Sequence, residues 1–442
     1  MESTGIGRSV NQNPAASEKP RLPEFFSYVR GALQIDKTSA RKLAETHGTP
    51  LYAYSGRQIE RNAQTLKKLI EPLGAEPYYA VKANPRLGIL KIVKNLSLGA
   101  EAVSLGEIKI ALKAGFPPQK ILFNGNGKTI GDVAGALKLG IKIFNFDSLD
   151  QLELLEAAGK KQKTKCRALI RIKPENDSAT HPYLAVGKKG SKFGVTLPEI
   201  SGAMNRLPSL KYVELAGIHT HFGSQILDAE TFLEVARFSA NVVKQLMALG
   251  VKLEIINLGG GFGIPYREEQ QPLELETLRR GYGEIFRELR AALPAGCPVP
   301  SILLEPGRFL VANAGVILSR VVSIKKDAGR AFCVIDAGMT ENLRPALYQA
   351  RHRAIPVDWS KPTDIFQVVG PVCENADILG EFTLPPVKVG DLMAILDCGA
   401  YTSVMATTYN GRLRPAEVLV NGAKANLIRR RDRYEDLWQN ET

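Results

Sequence analysis

The sequence predicts an α/β protein in which a (β/α)8 TIM-type barrel is joined to a separate antiparallel β-sandwich or β-barrel domain. Three observations support this. Between residues 78 and 308, short β-rich runs alternate with segments of helical period, the pattern of parallel strands linked by crossover helices. There are eight such runs, which suits a closed barrel; an open doubly wound sheet usually has fewer strands and an early dinucleotide loop. After about residue 311 the helical period fades, and valine- and isoleucine-rich runs separated by Gly, Pro and Asp take over.

Residues 1 to 22, rich in Ser, Asn, Pro and Ala and without an apolar stretch, read as a disordered tail rather than a signal peptide. Residues 23 to 45 are expected to join the β-domain, and 46 to 310 to form the barrel. Its eight runs are YYAVKAN (78 to 84), AEAVS (100 to 104), ILFNG (121 to 125), IKIFNF (141 to 146), RALIRIK (167 to 173), LAGIHTHFGS (215 to 224), LEIINLGGG (253 to 261) and SILLEPGR (301 to 308). The span 311 to 442 is expected to be the C-terminal β-domain, on runs such as AGVILSRVVSIKK (314 to 326), RAFCVIDAG (330 to 338) and DLMAILDCGAY (391 to 401). No repeat of solenoid length appears.

Composition narrows the class. Hydrophobic residues make up 44% of the 442 and charged residues 23%, which excludes a disordered or fibrous chain. The formal charge of +13 invites nucleic acid as a partner, but the basic residues are scattered and no aromatic residues interleave the short runs KKQKTK (160 to 165) and RRRDR (429 to 433). A solvated face accounts for them. The five cysteines, 166, 297, 333, 373 and 398, are odd in number and never spaced C-x-x-C, pointing to a reducing compartment without a disulfide framework or zinc site. With no apolar run of membrane-spanning length, the chain reads as cytoplasmic.

The unusual residues gather at strand C-termini, where a barrel keeps its active site. Lys82 ends the first run, and a buried amine there can lose its proton and act as a nucleophile. Gly259, Gly260 and Gly261 end the seventh and let backbone N–H groups approach a phosphate, although a plain tight turn reads equally well. The sixth ends His219-Thr220-His221-Phe222-Gly223-Ser224-Gln225. Two histidines on one strand face suit a metal, yet no Cys, Asp or Glu cluster completes a ligand set. A flat imidazole can instead stack on an aromatic cofactor while Ser224 bonds its phosphate. The eighth ends Glu305-Pro306-Gly307-Arg308, a carboxylate suited to a pyridine nitrogen beside an arginine suited to an anion.

Together with GPVCENAD (370 to 377) and GAY (399 to 401), these motifs stand in the order seen in the alanine-racemase-like, fold-type III pyridoxal-phosphate decarboxylases. The chain resembles that family over about residues 25 to 425. RPALYQARH (344 to 352) and YNGRLRPAEVLV (409 to 420) are similar to segments of its diaminopimelate branch. The resemblance implies pyridoxal 5'-phosphate as cofactor, carried on Lys82 with His221 over its ring. Ser224 and Gly259 to Gly261 would hold the phosphate, Glu305 would face the ring nitrogen within Glu305-Pro306-Gly307-Arg308, and Tyr401 would lie beside cofactor and substrate. Arg308, Arg344 and Tyr348 would bind substrate carboxylate and Glu374 the distal ammonium. Cys373 would donate the proton, entering from the other subunit of a homodimer.

Two positions depart from the family pattern. Glu101-Ala102-Val103-Ser104 replaces the usual Asp-Val-Val-Ser, and Asn375 follows Glu374 where Ser or Thr is usual. The expected reaction is decarboxylation of meso-2,6-diaminopimelate to L-lysine; a carboxylate at 305 favours it over the racemases of this fold, which place an arginine there. The alternatives are another basic amino acid or polyamine precursor (ornithine, arginine, carboxynorspermidine), or a non-catalytic regulatory homologue, which would be expected to have lost Lys82 or Cys373.

Overall fold

Eight parallel strands close into a barrel in the computed structural model, which describes residues 19 to 173, 193 to 294 and 296 to 442. The strands are Glu76–Ala80, Gly99–Ala102, Ile121–Phe123, Ile143–Phe146, Cys166–Arg171, Val213–His219, Ile255–Asn257 and Ser301–Leu304. The eighth pairs with the first through Leu303 opposite Glu76, which closes the barrel. Each expected run overlaps one of these strands, because parallel strands covered on both faces read as short apolar bursts. The expected tail lies outside the described residues as far as 18, while Leu22 packs against a buried apolar cluster.

The crossover helices start where side chains satisfy their free N–H groups. Thr129 and Asp132 form a capping box for Ile130–Lys138, and Asp228 accepts from Thr231 N at 2.8 Å to begin Ala229–Ala248. That 20-residue helix buries Phe232, Ala236, Ser239, Val243 and Met247, three to four residues apart, along one face. Within the barrel, Tyr78, Leu122, Leu169, Ala216, Ile255 and Leu303 form an apolar cluster of their own. Toward the C-terminal strand ends the filling turns polar: Glu101, Asn124, Asn145, His219, Asn257 and Glu305 are all buried.

The second domain is a nine-stranded mixed sheet rather than a purely antiparallel one. Its hairpin neighbours, such as Gly315–Asp327 with Arg330–Ile335, run antiparallel. Arg330–Ile335 with Asp364–Val369, and Leu51–Ser55 with Ala416–Asn421, run parallel. No tight turn joins these strands, so nothing local dictates their direction. Leu51–Ser55 falls inside the span expected for the barrel, yet it sits between Gly315–Asp327 and Ala416–Asn421. Its LYAYS sequence leads directly into the helix Gly56–Ile70, capped by Ser55, so locally it looks like another strand-helix unit. Residues 26 to 39 form a separate three-stranded sheet, whose Phe26, Leu33 and Ile35 pack with Val316, Leu318 and Leu392 of the large sheet.

The two domains are tied at the mouth of the barrel. Asn84 Nδ2 donates to Gly399 O at 3.0 Å, and Tyr401 N donates to Ala83 O at 2.9 Å. Gly399 is required there, since a β-carbon on it would lie 1.7 Å from Val311 O. Tyr401 itself is held at φ +57, a left-handed backbone that a non-glycine residue rarely adopts.

Candidate active site

A cavity of about 600 Å³ opens between the barrel mouth and the second domain. Lys82, His221, Ser224, Gly261, Glu305, Gly307, Arg308, Arg344, Tyr348 and Tyr401 line it, as do Tyr266 and Arg267. Residues from strands far apart in sequence meet here because each stands just beyond a strand C-terminus.

Lys82 follows the first strand and its Nζ lies 2.9 and 3.1 Å from the two oxygens of Glu101, within the second. Burial works against the Lys82 charge, but Glu101, then Tyr401 and Glu305, raise its pKa above that of ordinary lysine. Glu101 is fully buried, and burial pushes its carboxyl up while Lys82 pulls it down. The departure from the usual aspartate therefore touches the central lysine itself: the longer acid reaches Lys82 and holds its proton.

Glu305 is the second buried carboxylate. Asn257 Nδ2 donates to it at 2.8 Å and Asn124 Nδ2 at 3.5 Å from across the barrel, while His219 Nε2 lies 3.4 Å away. Burial opposes its charge, but His219, Lys82 and His221 hold its pKa below the usual carboxylate value. His219 thus packs beneath the site rather than serving a metal, and its ring stacks parallel to His221 at 6.5 Å. Among the described residues no group of three His, Cys, Asp or Glu is arranged to hold a metal ion.

His221 Nδ1 accepts from Gly260 N at 3.2 Å. Burial, and then the charges of Arg171 and Lys82, push its pKa well below the usual histidine value, leaving a neutral, flat ring beside the cavity. Gly259 N donates to Asn257 Oδ1 at 2.9 Å and Gly260 N to His221, so both amides are already used, and only Gly261 lines the cavity. The first two are small for packing: a β-carbon on Gly260 would lie 2.0 Å from Glu305 O. Pro306 likewise lies outside the cavity lining.

From the second domain, the short helix Arg344–Tyr348 brings Arg344 to the cavity wall. Arg344 and Arg308 both donate to the Tyr266 hydroxyl, at 2.7 and 2.9 Å, and Arg308 also donates to Ser224 Oγ at 3.0 Å. Among the described residues no carboxylate lies at ion-pair distance from either guanidinium. Cys373 and Glu374 are absent from the lining. Cys373 is exposed, and Glu374 accepts from Tyr409 Oη at 2.5 Å. Their loop is pinned by Asp377, which accepts from Val372 N at 3.0 Å and from Met339 N at 2.6 Å. Tyr266 escaped sequence reasoning; its one signal is its place a few residues beyond the glycine run that ends a barrel strand.

The chain matches the family described as "Pyridoxal-dependent decarboxylase, pyridoxal binding domain" over residues 56 to 312, beginning directly after the strand Leu51–Ser55. It is 38% identical to the diaminopimelate decarboxylase of Zymomonas mobilis, over 94% of this chain and 98% of that protein. The corresponding protein of Aquifex aeolicus is 36% identical, over 93% and 96%. Among solved structures, the M. jannaschii diaminopimelate decarboxylase in complex with L-lysine aligns with a TM-score of 0.90 at 35% identity, covering 96% of this chain and 99% of that one.

Proposed function

We infer the function from one premise: the chain belongs to the pyridoxal-dependent decarboxylases, and among them to the diaminopimelate decarboxylases. It is a pyridoxal 5'-phosphate-dependent carboxy-lyase that converts meso-2,6-diaminopimelate to L-lysine. When bound, the cofactor supplies the electron sink that accepts the pair released as carbon dioxide leaves.

The donor set fits that cofactor. A half-buried lysine amine, a neutral flat imidazole, an ionised carboxylate on the floor, and Ser224 with Gly261 share one cavity. In this reading Lys82 carries the cofactor and His221 packs on its ring. Glu305, kept ionised by its surroundings, holds a proton on the ring nitrogen. Ser224 and Gly261 take the phosphate, and Tyr401 closes the side. Glu101 receives the Lys82 ammonium when the lysine is free.

The observation that carries the substrate assignment is the pair Arg308 and Arg344, which line the cavity without a carboxylate partner at ion-pair distance among the described residues. A buried cation without a partner is costly, and a distal carboxylate is the missing partner. Ornithine or arginine would leave it unmatched. Tyr348 flanks the pair. A carbon-dioxide release assay across the diaminopimelate stereoisomers, lysine, ornithine and arginine tests this, with the meso-diaminopimelate signal dominating; preference for ornithine would overturn it.

The active form is a homodimer with shared sites. Supporting this, Cys373 and Glu374 lie outside their own chain's cavity and are exposed on a loop pinned by Asp377. Entering the neighbouring subunit's cavity, Cys373 delivers the proton to the carbon that lost carbon dioxide and Glu374 meets the distal ammonium. Equal amounts of Lys82→Ala and Cys373→Ala chains, allowed to exchange, should recover about a quarter of wild-type activity, since half of randomly formed dimers keep one intact site. No recovery despite exchange would place each site within one chain. The compartment is the cytoplasm, in keeping with five cysteines that form no disulfide; no described helix is long and apolar enough to cross a membrane.

A further inference from the structure

We propose that Tyr266 is the positioning residue that sets specificity in the substrate pocket, by clamping Arg308 and Arg344 into one carboxylate socket. The inference rests on the reading above, in which those arginines receive the substrate's distal carboxylate.

Two guanidiniums this close repel, and each needs an acceptor to stay in place. Tyr266 Oη provides one acceptor for both, from Arg344 Nη1 at 2.7 Å and Arg308 Nη1 at 2.9 Å. The ring adds to the hold, with the Arg344 Cζ 4.8 Å and the Arg308 Cζ 5.7 Å from its centroid. Tyr266 cannot swing away: it is 6% exposed, its backbone N donates to Gln270 Oε1 at 2.9 Å, and His352 packs against its ring at 5.0 Å. With both lone pairs of the phenol engaged, its own O–H is left to donate. An incoming carboxylate therefore meets two fixed guanidiniums and a hydroxyl together, and Arg308 Nε, buried without a partner, shows that the donor set is not yet saturated. A phenol hydroxyl adds no carboxylate to the socket, where an aspartate or glutamate at 266 would cancel part of its positive charge and exclude the substrate carboxylate. Tyr266 thus orients without competing.

The test is Tyr266→Phe, which keeps the ring and removes only the oxygen. Titration calorimetry on the cofactor-loaded enzyme reads the affinity for pimelate, a dicarboxylate without amines, and for cadaverine, a diamine without carboxylates. Pimelate should bind about ten- to a hundredfold more weakly and cadaverine within about twofold of wild type. With diaminopimelate, KM should rise while kcat stays within about threefold. In an Arg344→Ala background the same substitution should lose most of its effect, because one arm of the clamp is already gone. Unchanged pimelate affinity, or equal weakening of both ligands, would overturn the clamp. If Arg344→Ala alone leaves kcat/KM for diaminopimelate unchanged, the reading of the socket fails first and the clamp falls with it. Should the phenylalanine chain prove insoluble, Tyr266→Gln, which restores an acceptor without the ring, must bind pimelate more tightly than Tyr266→Leu, or the proposal fails.

Discussion

The barrel mouth and the edge contributed by the second domain face the same cavity but are built on opposite terms. At the mouth, charge is matched before any ligand arrives: Lys82 has Glu101, and Glu305 has Asn257, Asn124 and His219. At the edge, Arg344 has only a neutral hydroxyl, shared with Arg308 of the barrel, and Cys373 and Glu374 sit outside the cavity altogether. Groups that perform the same chemistry on every turnover can be pre-paired, whereas groups that choose a substrate must be left unpaired so that only the right partner completes them.

The sharpest way to break that contrast is at the mouth. Lys82→Ala should lower turnover by on the order of 10⁴-fold or more and abolish visible absorbance of bound cofactor, since among the described residues no other lysine lines the cavity. Near-normal rates measured with freshly loaded protein would remove Lys82 from the chemistry. Glu305→Gln should raise the barrier to decarboxylation by about 3 kcal/mol while cofactor affinity changes little, because what is lost is charge placed at the ring nitrogen. Single-turnover rates beside cofactor titrations separate the two effects.

At the edge, the effect should fall on selection. Arg344→Ala should cost diaminopimelate about 2 kcal/mol in kcat/KM, with Arg308 remaining to hold the carboxylate, and should cost any weak activity on ornithine less. The ratio of the two kcat/KM values is the measurement, and a ratio that does not move would merge the two regions into one. The smallest effect lies behind the edge. Glu341 accepts from Gly338 N at 2.8 Å and Thr340 Oγ1 at 2.9 Å in the turn leading to Arg344, and burial lifts its pKa to about 7. Its folded value lies above its unfolded value of 4.5, so the native chain holds the proton longer. Its contribution to stability is therefore greatest below about pH 4.5 and declines as pH rises toward 7, by about 1 to 3 kcal/mol. Denaturation curves of Glu341→Gln against pH should lack that decline.

Much of the mouth was legible in the sequence because its residues sit at the ends of runs whose period announces a parallel strand. Lys82, His221 and Glu305 each follow such a run, and the barrel brings every run's end to one face. Partnerships were not legible. Glu101 stood out as a departure, yet nothing in the one-dimensional pattern says that it reaches Lys82. Likewise nothing in the pattern says that His219 meets Glu305, which stands on another strand. Nor does a sequence show which amides have internal partners, as those of Gly259 and Gly260 do. Tyr266 was invisible for the same reason: its function is a meeting of two arginines, one at the end of the eighth strand and one from the second domain. The strand Leu51–Ser55 was placed with the barrel because its neighbours in the sheet lie more than two hundred residues away.

That strand has a further consequence for how the chain comes together. Since Leu51–Ser55 is sandwiched between Gly315–Asp327 and Ala416–Asn421, the barrel is in effect an insertion within a sheet whose first strand is made long before its flanking strands. During synthesis the barrel's local strand-helix pairings can form as each unit emerges, while LYAYS waits with both edges open for partners that arrive only near the end. The motifs VKAN and GAY, which meet across the mouth through Asn84, Gly399 and Tyr401, are then brought into register by the closing of that sheet. Completion of the sheet that frames the catalytic cavity therefore depends on strands made after the barrel, and a chain stopped short of residue 416 would leave one edge of Leu51–Ser55 unpaired.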